Sequence, residues 1–188
     1  MKYRALIACL PLVAGVIFMA CSGDNSGDNG GDNGGDSGRP LDEYFNQVEP
    51  FFLNAAQLST ASRQQLPDKL AAAQSTEERI LVFQEALGLL GSAFASLSGQ
   101  LQPVKPPEKA KAAQAEVQTT TQALLDLYRD LWDRGQTIET EDDLGKLLPE
   151  LDGPEITAAE KQQAEACSKL QAVAKENHLD VDLACPSD

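Results

Sequence analysis

Residues 80–101 read ILVFQEALGLLGSAFASLSGQL, and this stretch decides the fold. Its large apolar residues alternate intervals of three and four, which is the period of one face of an α-helix. Such a seam is typical of a helix packed almost parallel or antiparallel to its neighbours. The seam consists of Ile80, Phe83, Leu87, Leu90, Phe94, Leu97 and Leu101. Ser75 and Glu78 form a capping-box pattern, which predicts that this helix begins near Ser75.

A stripe of small residues runs beside the seam and comprises Gly88, Ser92, Ala95 and Gly99. Each glycine inside a helix costs about 1 kcal/mol relative to alanine, so some interaction should offset this cost. Two interpretations are open. A neighbouring helix approaches closely along the stripe, or the stripe lines a groove for a ligand or a partner helix.

The segments on both sides repeat the helical pattern. A first helix is predicted from residue 40, with a kink or a break at Pro50, because proline removes a backbone donor. A third helix is predicted to begin at Pro107 and to end at Gly135, a residue suited to the left-handed position after a helix. Tyr128 and Trp132 lie one turn apart in it, and their spacing indicates core packing or, alternatively, the wall of a pocket.

Two later segments complete the helical part. A short helix is predicted over residues 140–148, and a last one starts at Thr157, capped together with Glu160, and runs to about Asn177. We therefore expect an all-α fold, an up-down bundle of about four helices over residues 40–188. Beyond Asn177 the apolar period changes to two, which predicts an extended tail with Leu183 and its alternate neighbours against the bundle.

The N-terminus has the pattern of a secretory signal. Lys2 and Arg4 precede an apolar run over residues 5–20, which is shorter than the roughly 20 residues of a spanning helix. The run ends in Phe-Met-Ala-Cys at residues 18–21, which resembles the lipobox of bacterial lipoproteins, although Leu and a small residue are usual at the first two positions. The resemblance implies that residues 1–20 are removed and that Cys21 is lipidated, anchoring the protein to the cell or outer membrane, facing the periplasm or exterior.

Residues 21–39 are predicted to be the lipidated cysteine and a linker. Near-repeats of Gly-Asp-Asn-Gly fill residues 23–38, and none of these residues can bury apolar surface, so we expect a disordered spacer. A Gly-rich coil of this length has a reach of about 23 Å. Calcium binding is the weaker interpretation, because the repeats lack the bulky apolar residue or the bidentate Glu of calcium loops.

The cysteines indicate a disulfide. With Cys9 in the signal and Cys21 lipidated, Cys167 and Cys185 remain, and disulfides persist outside the cytoplasm. We predict a Cys167–Cys185 bond that pins the tail, worth about 3 kcal/mol in the chain-entropy model, with two free thiols as the alternative. Residues 166–185 also resemble the tail of small bacterial lipoproteins, which likewise implies a disulfide-locked C-terminus.

The charge and the motif content restrict the function. A net charge of −14 argues against nucleic acid, whose phosphates need Lys and Arg partners. The chain has one histidine, His178, and no phosphate-binding, dinucleotide-binding or zinc-protease motif. Polar side chains at 176, 178, 180 and 182 are interpreted as a solvated face rather than a metal site. No cofactor and no metal is predicted.

Two functional hypotheses follow. The first is a non-catalytic interaction module, held at the membrane by the lipid on Cys21, that binds another cell-envelope protein or, alternatively, a small ligand or cation. The second is a carboxylate-dependent cell-envelope hydrolase. A buried pair of acids with raised pKa would favour the hydrolase.

Overall fold

The computed structural model describes residues 40–186, and all regular structure in this part of the chain is helical. The predicted signal peptide, Cys21 and linker lie outside the described residues. The elements in order are α1 Leu41–Ala72, α2 Thr76–Leu101, α3 Glu108–Gly135, α4 Glu141–Leu147, a 3-10 helix Leu148–Asp152 and α5 Pro154–Glu176. The predicted all-α fold is confirmed.

The four long helices form an up-down bundle. Successive helices α1–α2, α2–α3 and α3–α5 pack side by side, whereas backbone contact between α1 and α5 is sparse. The connections are short, so that neighbouring helices run antiparallel. The α1–α5 seam is therefore the one side of the bundle that helix packing alone does not close.

The predicted start of α2 is confirmed by its hydrogen bonds. The hydroxyl of Ser75 accepts from the Glu78 backbone N–H at 3.2 Å, and the Glu78 carboxylate accepts from the N–H of Gln74 at 2.6 Å. Thr140 begins α4 in the same way, accepting from the N–H of Asp143 at 3.2 Å. The hydroxyls of Ser75 and Thr140 each satisfy an N–H group that the first helical turn leaves without a partner.

Of the kink or break predicted at Pro50, the break is wrong. Helix α1 continues from Leu41 to Ala72 through both Pro50 and Pro67. Val48 and Phe52, on either side of the first proline, are buried in the same cluster, so packing of one continuous face outweighs the hydrogen bond that proline removes.

The role predicted for Gly135 is also wrong. No glycine among residues 40–186 has a positive φ, and Gly135 is the last residue of α3, not a left-handed residue after it. A Cβ at this position would lie 3.1 Å from Cδ1 of Leu87. Glycine is needed here because α2 and α3 approach closely.

The cap predicted for the last helix is wrong as well. Helix α5 begins at Pro154, three residues before Thr157, and Gly153 is the residue before it. Proline suits the first helical position because its missing N–H would have no partner there. Glu160 is therefore free of a capping role, and its carboxylate pairs with Arg63 of α1 instead.

The buried residues form two clusters, one at each end of the bundle. The disulfide-end cluster joins the start of α1, the end of α2, the start of α3 and the end of α5, as expected for antiparallel helices. The α4-end cluster joins the opposite halves of these helices to α4 and the 3-10 helix. All seven predicted seam residues of α2 are buried in one cluster or the other, which confirms the seam.

The tail lies against the disulfide-end cluster. The predicted Cys167–Cys185 disulfide is present, with Cα atoms 5.6 Å apart. No strand forms over residues 179–186; instead, the Gln171 amide donates to the carbonyl of Val181 and accepts from the N–H of Leu183, both at 2.7 Å. The side chain of Leu183 is buried, so one apolar residue and one side-chain amide dock the tail where a partner strand would otherwise be needed.

The tail also reaches α1. The Glu49 carboxylate accepts from the N–H of Asp182 at 2.8 Å, so the tail bridges α5 and α1 across the open seam. Its course begins at His178, whose φ of 59° is left-handed, and the N–H of Leu179 closes the end of α5 by donating to the carbonyl of Ala174 at 3.0 Å. The chain's histidine is thus exposed at a helix end.

Candidate binding groove on α2 and α3

The predicted stripe lies on the outward side of α2. Gly88, Ser92 and Ala95 line a groove of about 440 Å³ between α2 and α3. Gly99 is exposed further along the same helix and does not line it. The structure therefore brings three of the four candidate residues to one groove and leaves the fourth beside it.

Trp132 forms one wall of this groove. A Cβ built on Gly88 would lie 3.0 Å from the indole ring of Trp132, so glycine allows the ring to approach α2 closely. The indole remains 37% exposed. Tyr128, one turn earlier, is buried and stacks on Phe94 with ring centroids 5.6 Å apart. Of the two interpretations of this aromatic pair, core packing holds for Tyr128 and the pocket wall for Trp132.

Two further glycines of α2 have no such neighbour. A Cβ on Gly91 or Gly99 would meet nothing within 4 Å. Close approach of a neighbouring helix thus accounts for Gly88 and for neither of the other two. For Gly91 and Gly99, the cost of about 1 kcal/mol relative to alanine is not offset by packing among residues 40–186.

The groove lining is largely apolar, although it also includes Glu85 and Arg129, and two uncharged stretches of sequence lie beside it. The sequence has no charged residue from Ala86 to Leu101 and none from Pro50 to Ser62. The hydroxyl of Ser62 donates to the carbonyl of Ala86 at 3.1 Å, which places these two antiparallel stretches side by side. We call the outward sides of residues 50–62 and 86–101, together with Trp132, the neutral face. Leu58 and Leu89 are also exposed on these two stretches.

A polar network lies at the far end of the uncharged stretch of α1. Arg63 donates to the Tyr128 hydroxyl at 2.9 Å and pairs with the carboxylates of Asp152 and Glu160, and Tyr128 donates to Glu160 at 2.7 Å. These contacts tie α1 to α3, the 3-10 helix and α5 across the open seam. Burial raises the pKa of Tyr128, so its hydroxyl stays a proton donor.

The carboxylates of residues 40–186 are at least partly exposed, and several of them form ion pairs. No Asp or Glu in residues 40–186 is buried, and Glu160 is neutralised by Arg63. The hydrogen bond from Arg134 lowers the pKa of Glu150, and the hydroxyl of Thr140 lowers the pKa of Asp143. The buried acidic pair with raised pKa that would favour a hydrolase is not found in this part of the chain.

Two other hollows are each lined by oppositely charged side chains that form an ion pair. One of about 370 Å³ opens between α1 and α5 beside Arg63 and Glu160, and one of about 260 Å³ lies beside Arg134 and Glu150. Within residues 40–186 no three His, Cys, Asp or Glu side chains cluster as a metal site would require. The groove on α2 and α3 has a largely apolar lining that also includes Glu85 and Arg129.

Helix α2 is the one helix in the described part of the chain that is long and apolar enough to cross a membrane by length and composition. Its seam residues are buried among α1, α3 and α5, as in the core helix of a bundle. No known family, curated protein or solved structure is significantly similar to this chain.

Sequence reasoning did not assign six of the lining residues to the groove, among them Gly91 and Leu125. Gly91 falls one turn from Gly88 and was detectable from the charge-free run that contains it. Leu125 was not detectable, because its place in the groove depends on how far α3 is shifted along α2, and no local pattern sets that shift.

Proposed function

We propose that this protein is a non-catalytic binding module, tethered to a bacterial cell-envelope membrane by a lipid on Cys21, that binds a protein partner through the groove on α2 and α3. One observation carries the binding proposal: a groove with a largely apolar lining lies on the surface of a chain whose net charge is −14. Exposed apolar surface of this kind is typical of interaction sites. The lipobox resemblance and the Gly-rich linker support the tether.

The position of the groove suits a tethered domain. The linker joins the bundle at Pro40. Because Ser62 contacts Ala86 and the two helices are antiparallel, the groove lies beside residues 53–60 of α1. At a rise of about 1.5 Å per residue, the groove lies roughly 20–30 Å along the bundle from this attachment point. A spacer with a reach of about 23 Å would add to that separation.

The chemistry of the described residues favours binding over catalysis. A general acid or base needs a carboxyl or imidazole in an environment that shifts its pKa towards neutrality. The carboxyl pKa values that are shifted here are lowered, and the buried polar side chains of residues 40–186 are Ser, Thr and Gln. The groove lining offers shape and apolar surface, which are what a partner helix would contact.

The tether is tested by replacing the acylated residue. In Cys21→Ala the thiol that would carry lipid is absent, so the protein should move from the membrane fraction to the soluble fraction. Cys9→Ala, which changes a cysteine of the predicted signal, serves as the matched control and should stay membrane-bound. Equal membrane retention of both variants would contradict lipidation at Cys21.

The groove is tested by photocrosslinking in intact membranes. A photoreactive residue at Ala95 should give discrete protein adducts, whereas the same residue at Gly145, on exposed α4, should give none. Gly91→Phe should abolish the Ala95 adducts, because a Cβ on Gly91 meets nothing within 4 Å and the ring would occupy the groove. Adducts of equal yield from both positions would contradict a specific site.

A small apolar ligand is the second candidate, because the groove volume of about 440 Å³ falls within the range of small-molecule sites, roughly 300–1,000 Å³. Native mass spectrometry of the protein extracted from its membrane would then show a bound small molecule, and Gly91→Phe would remove it. Protein adducts without any bound small molecule would favour the first candidate.

A further inference from the structure

We propose that the hollow between α1 and α5 binds a small organic carboxylate that also carries an amide and an apolar group, of the N-acylated amino acid class. Lys161 contacts its carboxylate, Gln163 its amide and Phe94 its apolar group. The hollow shares no lining residue with the groove on α2 and α3, so this site is independent of the proposed function.

The hollow has the size and the mixed lining of a small-molecule site. Its volume of about 370 Å³ lies within the usual range of roughly 300–1,000 Å³. It adjoins a space of about 50 Å³ beside the tail, because Phe94, Gln163 and Pro186 line both. Phe94, Leu124 and Pro186 supply apolar lining, so a ring or a short hydrocarbon chain can leave water there.

Gln163 is the buried polar side chain of this lining. It is 6% exposed, and its amide has no hydrogen-bond partner among residues 40–186. Ser62, Gln114 and Gln171, which are buried elsewhere in the bundle, each donate to a backbone carbonyl. Buried amides are normally paired, since an unpaired one loses its hydrogen bonds to water without replacement. The amide of Gln163 can donate and accept at once, which matches the amide of a ligand.

The charges of the lining favour an anion. They are two cations and one anion, Arg63, Lys161 and Glu160, so the lining carries one net positive charge. Arg63 pairs with Glu160 and with Asp152, whereas Lys161 forms no ion pair among residues 40–186. The more distant acids of the chain are screened at physiological ionic strength, where the Debye length is about 8 Å. The ammonium of Lys161 is therefore available to a carboxylate.

The positions of Lys161 and Gln163 on α5 set the orientation of the ligand. Two residues apart on a helix, they point roughly 160° apart around its axis. Gln163 is buried and Lys161 is exposed, so the amide lies at the inner end of the hollow and the ammonium at its mouth. A molecule that reaches both places its carboxylate outermost and its amide inside.

The test uses N-acetylphenylalanine as the probe and equilibrium dialysis against the full-length chain in phosphatidylcholine nanodiscs. Binding should saturate at one molecule per chain, above the background of empty nanodiscs. Lys161→Gln and Gln163→Leu should each weaken it at least threefold. Lys175→Gln and Gln162→Leu, at exposed positions of α5 outside the hollow, are the matched controls and should leave it unchanged.

Two further probes assign each contact, since each lacks one group of the first. The effect of Lys161→Gln should disappear with N-acetylphenylalaninamide, which has no carboxylate. The effect of Gln163→Leu should disappear with 3-phenylpropanoate, which has no amide. Without any probe, Gln163→Leu should unfold at the same or a higher temperature than the parent, because the amide makes no hydrogen bond in the fold. A lower unfolding temperature would mean that the amide is structural and would overturn its role in binding.

The outcomes separate this site from the groove. Gly91→Phe, which fills the groove, should leave the binding of N-acetylphenylalanine unchanged. Absence of saturable binding, or equal binding by the parent and Gln163→Leu, would overturn the site in the hollow and leave the groove proposal as it stands. Missing adducts at Ala95, with N-acetylphenylalanine still bound, would overturn the groove alone.

Discussion

The seam between the first and last helices is closed in different ways at the two ends of the bundle. An up-down bundle must close the side between its first and last helices, and backbone contact between α1 and α5 is sparse. At the disulfide end a covalently fixed tail fills the seam, with Gln171 and Glu49 holding its backbone. At the α4 end Arg63 bridges the seam through Glu160 and Tyr128, and no covalent link exists there among the described residues. The difference indicates that the disulfide replaces helix packing at one end only.

Truncating a buried ring at each end should have the largest effects. Phe45 at the disulfide end and Phe83 at the α4 end are both fully buried. Each change to alanine should lower the free energy of unfolding by about 3–5 kcal/mol, because a large cavity replaces the ring. Urea unfolding of both variants checks this. A loss below 1 kcal/mol at either position would mean that its cluster is not well packed.

Removing the disulfide should sharpen the comparison. The Cys167→Ala/Cys185→Ala double variant should lose about 3 kcal/mol of stability, because its unfolded chain is less constrained. Backbone hydrogen exchange should accelerate in the tail and the end of α5 before it does so in α4. Uniform acceleration along the chain would contradict a role confined to one end.

Breaking the Arg63 bridge should give the corresponding loss at the other end. Arg63→Met removes the partner of Glu160 and Tyr128, and we expect a loss of about 1–2 kcal/mol, since the side chains of Arg63 and Glu160 are still about one-third exposed. Glu160→Gln with Arg63→Met should cost less than the two single changes added together. Strict additivity in this double-mutant cycle would show that the pair is not coupled.

Replacing a glycine by alanine should change the stability of the fold differently at two positions near opposite ends of the bundle. Gly99→Ala should stabilise the fold by about 0.5–1 kcal/mol, because its Cβ meets nothing and the unfolded chain loses freedom. Gly135→Ala should give no gain or a loss, because its Cβ would lie 3.1 Å from Leu87. Thermal unfolding of dilute protein measures both, and a gain at Gly135 would contradict the close helix approach.

The Arg134–Glu150 ion pair beside the 3-10 helix should have the smallest effect. Because Arg134 lowers the pKa of Glu150, the pair stabilises the fold above the unfolded pKa of about 4.3 and this contribution disappears as the pH falls through the folded value. Both side chains are over 40% exposed, so we expect less than about 0.5 kcal/mol. Glu150→Gln should remove the pair's contribution to the difference in unfolding free energy between pH 7 and pH 3. An unchanged difference would contradict the assignment of this contribution to Glu150.

The fold was largely predictable because its signals are local. The seam of α2 and its cap at Ser75 follow from residues close in sequence. The Cys167–Cys185 pairing follows because few other cysteines could take part. The errors arose where distant parts of the chain decide. Packing on both sides of Pro50 keeps α1 continuous. Helix α5 begins three residues before Thr157, and Glu160 pairs with Arg63, which is 97 residues away.

The candidate site was predictable only in part. Three of the four residues in the predicted stripe line the groove between α2 and α3. The wall at Trp132 was one of two interpretations, and the floor at Leu125 was not anticipated. Both depend on the register between α2 and α3, which Gly88 and Gly135 set through close contacts that no sequence period encodes.

Thiol labelling of Ala95→Cys would test most directly whether the neutral face is the docking surface of a tethered module. Ala95 is exposed in the single chain, so a cysteine there should react readily in dilute, purified protein. In native membranes we predict at least a tenfold slower reaction at this position and an unchanged rate for Gly145→Cys. Equal rates at Ala95→Cys in both preparations would contradict the claim that anything covers this face.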